Sequence, residues 1–323
     1  LQTRYDIRTT RLYSYAWIVY GFLYIPIQLK TVSSIIQIVL PGLNIMAAMF
    51  IGVTIAVIYT SFSGMKGASA VGRVVCIGIY VLLICFVFTT LPRFGGFGGL
   101  LKSLPENYDS MGNMPTQRII AWIVGGCIST AVMQAVLQPL LSAKSPEAAR
   151  AGSVLGYLIA APICFFTATC GMLSKASGAD LGDGSTAFAY AIKTFSSPIF
   201  AGVIFAFATM IIAATMATMM LATGTIITNV YKTEINPKVD DVKVLKLSKT
   251  ITFIFAYMTL IPAFLIPSKS LTNLFLTLQH VAAAPVSFSI LAGLMWKKTT
   301  KQAAFWSMLT GMVTGITWML LKL

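Results

Sequence analysis

The sequence predicts an all-α integral membrane protein, and three features carry that expectation. The 323 residues are 57% apolar and only 10% charged, with a mean hydropathy of +0.83, whereas soluble domains carry about 25% charged residues. Long intervals hold no charge at all: 31–65, 74–92, 119–143, 151–174, 194–231, 250–268, 270–296 and 302–321. The basic residues behind the net charge of +14 fall at the ends of those intervals, not on one face or in one run. That placement reads as membrane topology in contact with lipid and argues against a nucleic-acid partner.

A hydrocarbon core of ~30 Å is crossed by about 20 residues rising 1.5 Å each. The stretch from Leu12 to Phe62 is too long for one crossing, and Pro41–Gly42 is its natural break, because proline lacks an amide donor and glycine weakens a helix. Nine crossings follow, near 13–38, 43–61, 73–92, 119–141, 150–172, 198–228, 248–267, 271–295 and 302–321. With the amino terminus inside, fifteen of the 23 basic residues lie on the inner side and eight outside, Lys30 among the latter, in agreement with the positive-inside rule. The glycine-rich stretch 91–117 lacks the strand and Lys-Ser/Thr end of a phosphate loop and reads as a flexible external connection. Residues 179–193 read as a turn with Ser185 or Thr186 as cap, then a short external helix.

The longest interval, Thr194–Tyr231, has a second half rich in small and hydroxyl residues: Ala213, Ala214, Thr215, Ala217, Thr218, Ala222, Thr223 and Gly224. Such a surface lets neighbouring backbones approach closely and marks a helix enclosed by others. Five cysteines lie in apolar segments without CxxC spacing and read as buried structural thiols. Trp17, Trp122, Trp296, Trp306 and Trp318 stand mostly towards segment ends, as interfacial anchors do. No acidic residue falls within a crossing, so a carboxylate proton relay has no candidate. Paired carboxylates, an activated nucleophile and a metal cluster are likewise missing from the pattern, so the expectation is not an enzyme.

Three stretches resemble the sodium/solute symporter family, which includes sodium-coupled sugar, proline and pantothenate carriers. They are YTSFSGMKG (59–67), similar to the family's turn at the inner end of a helix; QAVLQPLLSAKSPEAARAG (134–152), similar to its Gln-rich run and following cytoplasmic segment; and AATMATMMLATGTIITNVYK (213–232) together with WKKTTKQAAFWSMLTG (296–311). The resemblance implies a leucine-transporter-type bundle of two inverted repeats with ligands at mid-membrane. On that plan 1–92 is the remainder of the first repeat, 93–117 an external loop, 118–295 the second repeat and 296–323 an extra helix, all within one transmembrane domain. The first core helices would then lie upstream, and the chain, which opens at Leu1 rather than Met, is expected to be an N-terminally truncated piece completed by those missing helices.

The same resemblance implies Na+ as the driving ion, held by the Ala214 carbonyl and Thr218 hydroxyl. The sequence departs from the family at Ala217, where a hydroxyl is lost, and at Gly72, where an Asp often stands. Thr218 also has a purely structural reading, bonding its own i−4 carbonyl. The solute side is expected at Ser129 and Thr130, beside Gly125–Gly126 where the helix is expected to unwind, with Gln134 one turn on and Gln279 and His280 opposite. Gln134 reads equally as a helix-to-helix bond, and His280 reads first as a satisfied packing histidine. Pro285 should free the Val281 carbonyl and kink its helix. The function expected is a secondary transporter carrying a small polar organic solute across the plasma membrane; the alternative is a carrier-like sensor that binds solute without coupled flux.

Overall fold

The computed structural model describes residues 1–106, 108, 114–131, 133–181, 184, 186–266 and 271–321. Its elements are helical throughout: α1 (Ile7–Val39), α2 (Ile45–Thr90), a 3-10 turn (Leu91–Phe94), α3 (Gly96–Lys102), α4 (Thr116–Ala131), α5 (Gln134–Leu141), α6 (Pro146–Ala176), α7 (Ala187–Phe195), α8 (Pro198–Val230), α9 (Asp241–Met258), α10 (Leu260–Leu265), α11 (Leu271–Leu278), α12 (Ala284–Met295) and α13 (Lys301–Leu321). Among the described residues, seven helical stretches are long and apolar enough to cross a bilayer. The nine expected segments are all helical, but two fall short as single spans. Ile45–Ser61 is apolar yet short, and 119–141 is divided into α4 and α5.

Pro41–Gly42 does separate the first two crossings: α1 ends at Val39, and Gly42 adopts φ 97°, a left-handed conformation open to a residue without Cβ. The turn expected at 59–67 is absent. The helical backbone of α2 runs unbroken for 46 residues, about 69 Å at 1.5 Å per residue, twice what a bilayer core accommodates. The candidate span Gly72–Phe94 and the shorter apolar stretch Ile45–Ser61 therefore lie within one helix. The stretch directly after α2, expected as a flexible connection, begins with helical turns. Pro92 opens the 3-10 turn and α3 follows directly, because proline's fixed φ suits a first helical turn. Of the two expected caps of α7, Ser185 lies outside the described residues, and Thr186 occupies the cap position without a side-chain hydrogen bond.

Packing centres on α8, which is hydrophobic all round and buried along both halves. Its outer half, with Ile204 and Phe205, joins Ile79, Leu83 and Phe86 of α2, Leu173 of α6 and Ile192 of α7. Its inner half, with Met216 and Met220, joins Trp17, Tyr20 and Tyr24 of α1, Val53 of α2 and Phe255 of α9. In lipid such contacts rest on van der Waals fit, so small residues sit where helices meet. A Cβ at Gly21 of α1 would strike Thr223, one at Gly224 would strike Thr252 of α9, and one at Gly78 of α2 would strike the Phe207 ring.

Three expectations are corrected by this packing. Lys30, placed on the outer side, is buried within α1, and its Nζ donates to the Ile266 carbonyl. That carbonyl lies at the C-terminal end of α10, where helix dipole and open acceptors favour a cation. Only Cys170 is a buried thiol. Cys76, Cys85, Cys127 and Cys164 are exposed, because a bundle in lipid turns apolar side chains outward as readily as inward. Trp17 is no interfacial anchor but lies in the core, 3% exposed.

Helix ends near the amino terminus are tied by polar contacts. Arg4 donates to the carbonyls of Gly293, Trp296 and Lys297 at the end of α12, at 3.1 to 3.3 Å. Glu234, in a π-helical extension of α8, accepts from Arg11 at 2.7 Å and from the Tyr15 hydroxyl at 3.2 Å. Asp6 caps α1 by accepting from the Thr9 amide at 2.8 Å, and that bond holds its carboxyl below the usual 3.8.

Two measurements test this account. Gly224→Val should lower the melting temperature in detergent, with overpacking costs on the order of 1–3 kcal/mol, whereas Gly156→Ala, with open space around a Cβ, should not. Because the Asp6 pKa is depressed on folding, its stabilising bond is fully present above pH 3.8 and is lost as pH falls through the lower folded value. Amide exchange in the first turn of α1 should therefore accelerate only below that pH.

Candidate functional site

Three elements supply the site: the α4–α5 interruption, the middle of α8 and a wide turn between α11 and α12. Expected unwinding at Gly125–Gly126 does not occur, since α4 stays helical through Ala131 and α5 restarts at Gln134. Gly125 serves packing instead, because a Cβ there would lie 2.5 Å from His280 Nε2. Met133, buried at the interruption, accepts from the Val136 and Leu137 amides, both at 2.9 Å, and so starts the next helix. No proline or glycine marks this break, which is why the sequence misplaced it.

Between α11 and α12 the chain forms a π-helical turn, Gln279–Ala283, and Pro285 sits at the start of α12. Proline cannot donate to the Val281 carbonyl, so the expected disruption is realised as a widened turn rather than a bare kink. The wide turn directs two successive side chains, Gln279 and His280, towards α4. They meet a stripe at i, i+4 and i+8: Ala121, Gly125 and Ser129. Ser129 Oγ is 2.7 Å from Gln279 Oε1 and 2.6 Å from the Gly125 carbonyl. One hydroxyl proton cannot serve both acceptors. The pair balances with the amide turned, so that its NH2 donates to Oγ and Oγ–H donates to Gly125.

The other expected solute residues lie apart from this pair. Gln134 accepts from the Tyr13 hydroxyl at 3.3 Å, the helix-to-helix bond that was its structural reading. Thr130 is half-buried, and its carbonyl accepts from the Met133 amide at 3.4 Å.

Ala214 and Thr218 line a cavity of about 400 Å³ with Tyr24 of α1, Tyr59 and Gly72 of α2 and Gln138 of α5. Thr218 Oγ1 donates to the Ala214 carbonyl at 2.9 Å. Its structural reading is thus realised, yet the bond engages the hydroxyl proton and leaves oxygen lone pairs for a cation. Ala217 is fully buried, and a Cβ at Gly72 would meet nothing within 4 Å. Gly72 therefore leaves space and no oxygen, whereas Ala217 is enclosed by packing and supplies none. The lining is mostly apolar; its polar residues are Tyr24, Tyr59, Gln138, Thr215 and Thr218, and among the described residues it includes no carboxylate. That donor set suits a monovalent cation or a neutral polar solute and not a divalent ion, which asks for charged ligands. Among the described residues no group of three His, Cys, Asp or Glu could hold a metal. Ser129 and Thr218 do not share a cavity wall: Met133 reaches the cavity, while Ser129 faces Gln279 on the other side of the interruption.

Sequence reasoning overlooked the aromatic run on α1. Tyr13, Trp17, Tyr20 and Tyr24 succeed one another at helical spacing with ring centroids 6.1, 4.9 and 5.5 Å apart, and Tyr24 continues to Phe275 at 5.6 Å. Trp17 Nε1 and the Tyr20 hydroxyl are buried without a hydrogen-bond partner among the described residues. The i, i+4, i+7, i+11 spacing was the available signal.

Comparison with known proteins gives a consistent result. A family model described as the sodium:solute symporter family matches residues 1–311. The chain is 25% identical over 304 residues to the uncharacterized symporter YodF of Bacillus subtilis (strain 168), covering 90% of this chain and 60% of that protein. It is 22% identical over 210 residues to sodium/glucose cotransporter 4 of Danio rerio, covering 58% of this chain and 32% of that protein. It therefore spans less than two thirds of the length of either relative.

The Ser129–Gln279 contact is open to a double-mutant cycle. Ser129→Ala and Gln279→Leu, singly and together, should show a thermal-stability coupling on the order of 0.5–3 kcal/mol. Simple additivity would mean that the two side chains do not touch.

Proposed function

The chain belongs to the sodium:solute symporter family, and from that premise we propose that it forms the ligand-carrying part of a secondary active transporter. In this reading it moves a small polar organic solute across the plasma membrane with sodium as the driving ion. The observation that carries the proposal is that Ala214 and Thr218, joined by the Thr218 hydroxyl bond, both line a cavity of about 400 Å³ that no charged residue borders among the described residues. Cavities of this size hold small molecules.

The residues would act as follows. Thr218 and Ala214, with Tyr59 and Gln138 opposite, would replace part of a cation's hydration shell. Sodium, when bound, supplies the free energy of its gradient. Ser129 and Gln279 would offer one donor and one acceptor to the solute across the α4–α5 interruption. Met133, buried at that interruption and reaching the cavity, would transmit occupancy of one side to the other. Such linkage is a coupling free energy, typically 1–3 kcal/mol and equal in both directions.

A second reading, a sensor that binds solute without coupled flux, is favoured by the missing oxygens at Ala217 and Gly72. Uptake of a solute panel into vesicles bearing the complete protein, with and without an inward sodium gradient, separates the two. Gradient-driven uptake is the expected result; binding without sodium-dependent uptake would sink the transport reading. Thr218→Val should weaken apparent sodium affinity about tenfold, equivalent to about 1.4 kcal/mol. Ala217→Ser, restoring a hydroxyl, should strengthen it.

A further inference from the structure

We propose that His280 is a proton-binding site whose occupancy fastens the π-helical turn to α4. His280 Nδ1 lies 2.6 Å from the Leu276 carbonyl and Nε2 lies 3.2 Å from the Ala121 carbonyl. A neutral imidazole has one N–H and can donate to only one of these; the other nitrogen then turns its lone pair to an oxygen. An imidazolium donates to both. The two acceptors belong to different elements, the end of α11 and the body of α4; a neutral ring that keeps its proton on Nδ1, the nearer contact at 2.6 Å, makes no bond to Ala121, so only the charged form makes both bonds and spans the contact.

The surroundings are built for this exchange. Gly125 makes the niche, because any Cβ would displace Nε2 from its place beside Ala121. On its other side His280 opens on a groove of about 550 Å³ against α13, where Ser307, Thr310 and Thr314 present hydroxyls.

The elements packed against the turn are α1, α4, α11, α12 and α13. Their titratable groups are Arg8, Arg11, Tyr13, Tyr15, Tyr20, Tyr24 and Lys30 on α1, Arg118 and Cys127 on α4, and Lys301 on α13; α11 and α12 contribute none. No carboxylate stands on any of them, so the charged ring relies on the two carbonyls. Proton binding here is distinct from the sodium site and does not depend on the identity of the solute. It bears on the solute side because Ser129 and Gln279 join the same two elements.

The chain holds a single histidine, so imidazole nitrogen chemical shifts in the purified, labelled protein report this ring alone. They should move from a single neutral tautomer to the doubly protonated form as the pH is lowered stepwise. Over the same range, after correction for intrinsic rates, amide exchange in 121–129 and 276–283 should become about tenfold slower. Gly125→Ala keeps the histidine but displaces Nε2, and His280→Gln removes the titration; both should abolish the pH effect on exchange. A ring that stays neutral throughout overturns the proposal, and that observation needs neither variant. So does a pH effect on exchange that survives either substitution.

Discussion

Every feature of this structure is governed by the requirement that backbone amides and carbonyls be satisfied without water. In hydrocarbon an unpaired peptide group costs several kcal/mol, so a helix can be interrupted only where other groups take over its bonds. Among the described residues, four such places have a visible substitute. At the end of α9 the Thr259 hydroxyl donates to the Ala256 carbonyl at 2.6 Å. The carbonyl at the end of α10 receives the Lys30 ammonium. The last turn of α12 is met by Arg4, and the widened turn before α12 has His280 across two carbonyls. Polar side chains inside the bundle are therefore concentrated where the regular ladder fails, and those are the places where a ligand can find polar groups at membrane depth.

This explains which parts of the architecture were legible in the sequence. Apolar length and flanking charge depend on composition alone, so the nine helical segments could be read directly. The centrality of α8 was readable because small residues in a charge-free run have no use at a lipid-facing surface, and Gly224 against Thr252 bears that out. The location of interruptions was not readable in the same way. Glycines at 125 and 126 suggested unwinding, but a glycine can be kept for a neighbour's approach, and Gly125 is kept for the His280 ring. Lys30 illustrates the same difficulty. A charge in an apolar run suggests a segment end, and only the tertiary arrangement reveals a carbonyl-rich helix terminus waiting to receive it.

The candidate site divides similarly. Ser129, Gln279 and His280 were named from residue type, and the structure brings them together because Pro285 widens the turn and points consecutive side chains the same way. Gln134 was named by the same logic and is bonded to Tyr13. Residue type identifies a group able to bind; it says nothing about whether the fold has already used that capacity. The aromatic run from Tyr13 to Tyr24 is the converse case, an ordinary apolar stripe by pattern that retains an unpaired indole N–H and phenol in the interior.

The division of polar groups by the α4–α5 interruption bears on how two ligands would be linked. A continuous helix would place Ser129 and Gln138 on one rigid rod, and a change at one would shift the other only as a body. An interruption between them lets α4 follow the turn that carries Gln279 while α5 follows the wall that carries Thr218. Met133, buried at the join, is packed with Tyr20 and Tyr24 of α1 and Met216 and Met220 of α8 in one apolar cluster. Close-packed interiors transmit displacement because they cannot absorb it as void. A movement of α4 against the turn is then felt at the α8 face through this cluster, without any polar contact between the two sets of residues. Under the proposed reading, two polar clusters joined by a packed, broken helix would suffice for reciprocal binding, and the apolar join, rather than either cluster, would set its strength.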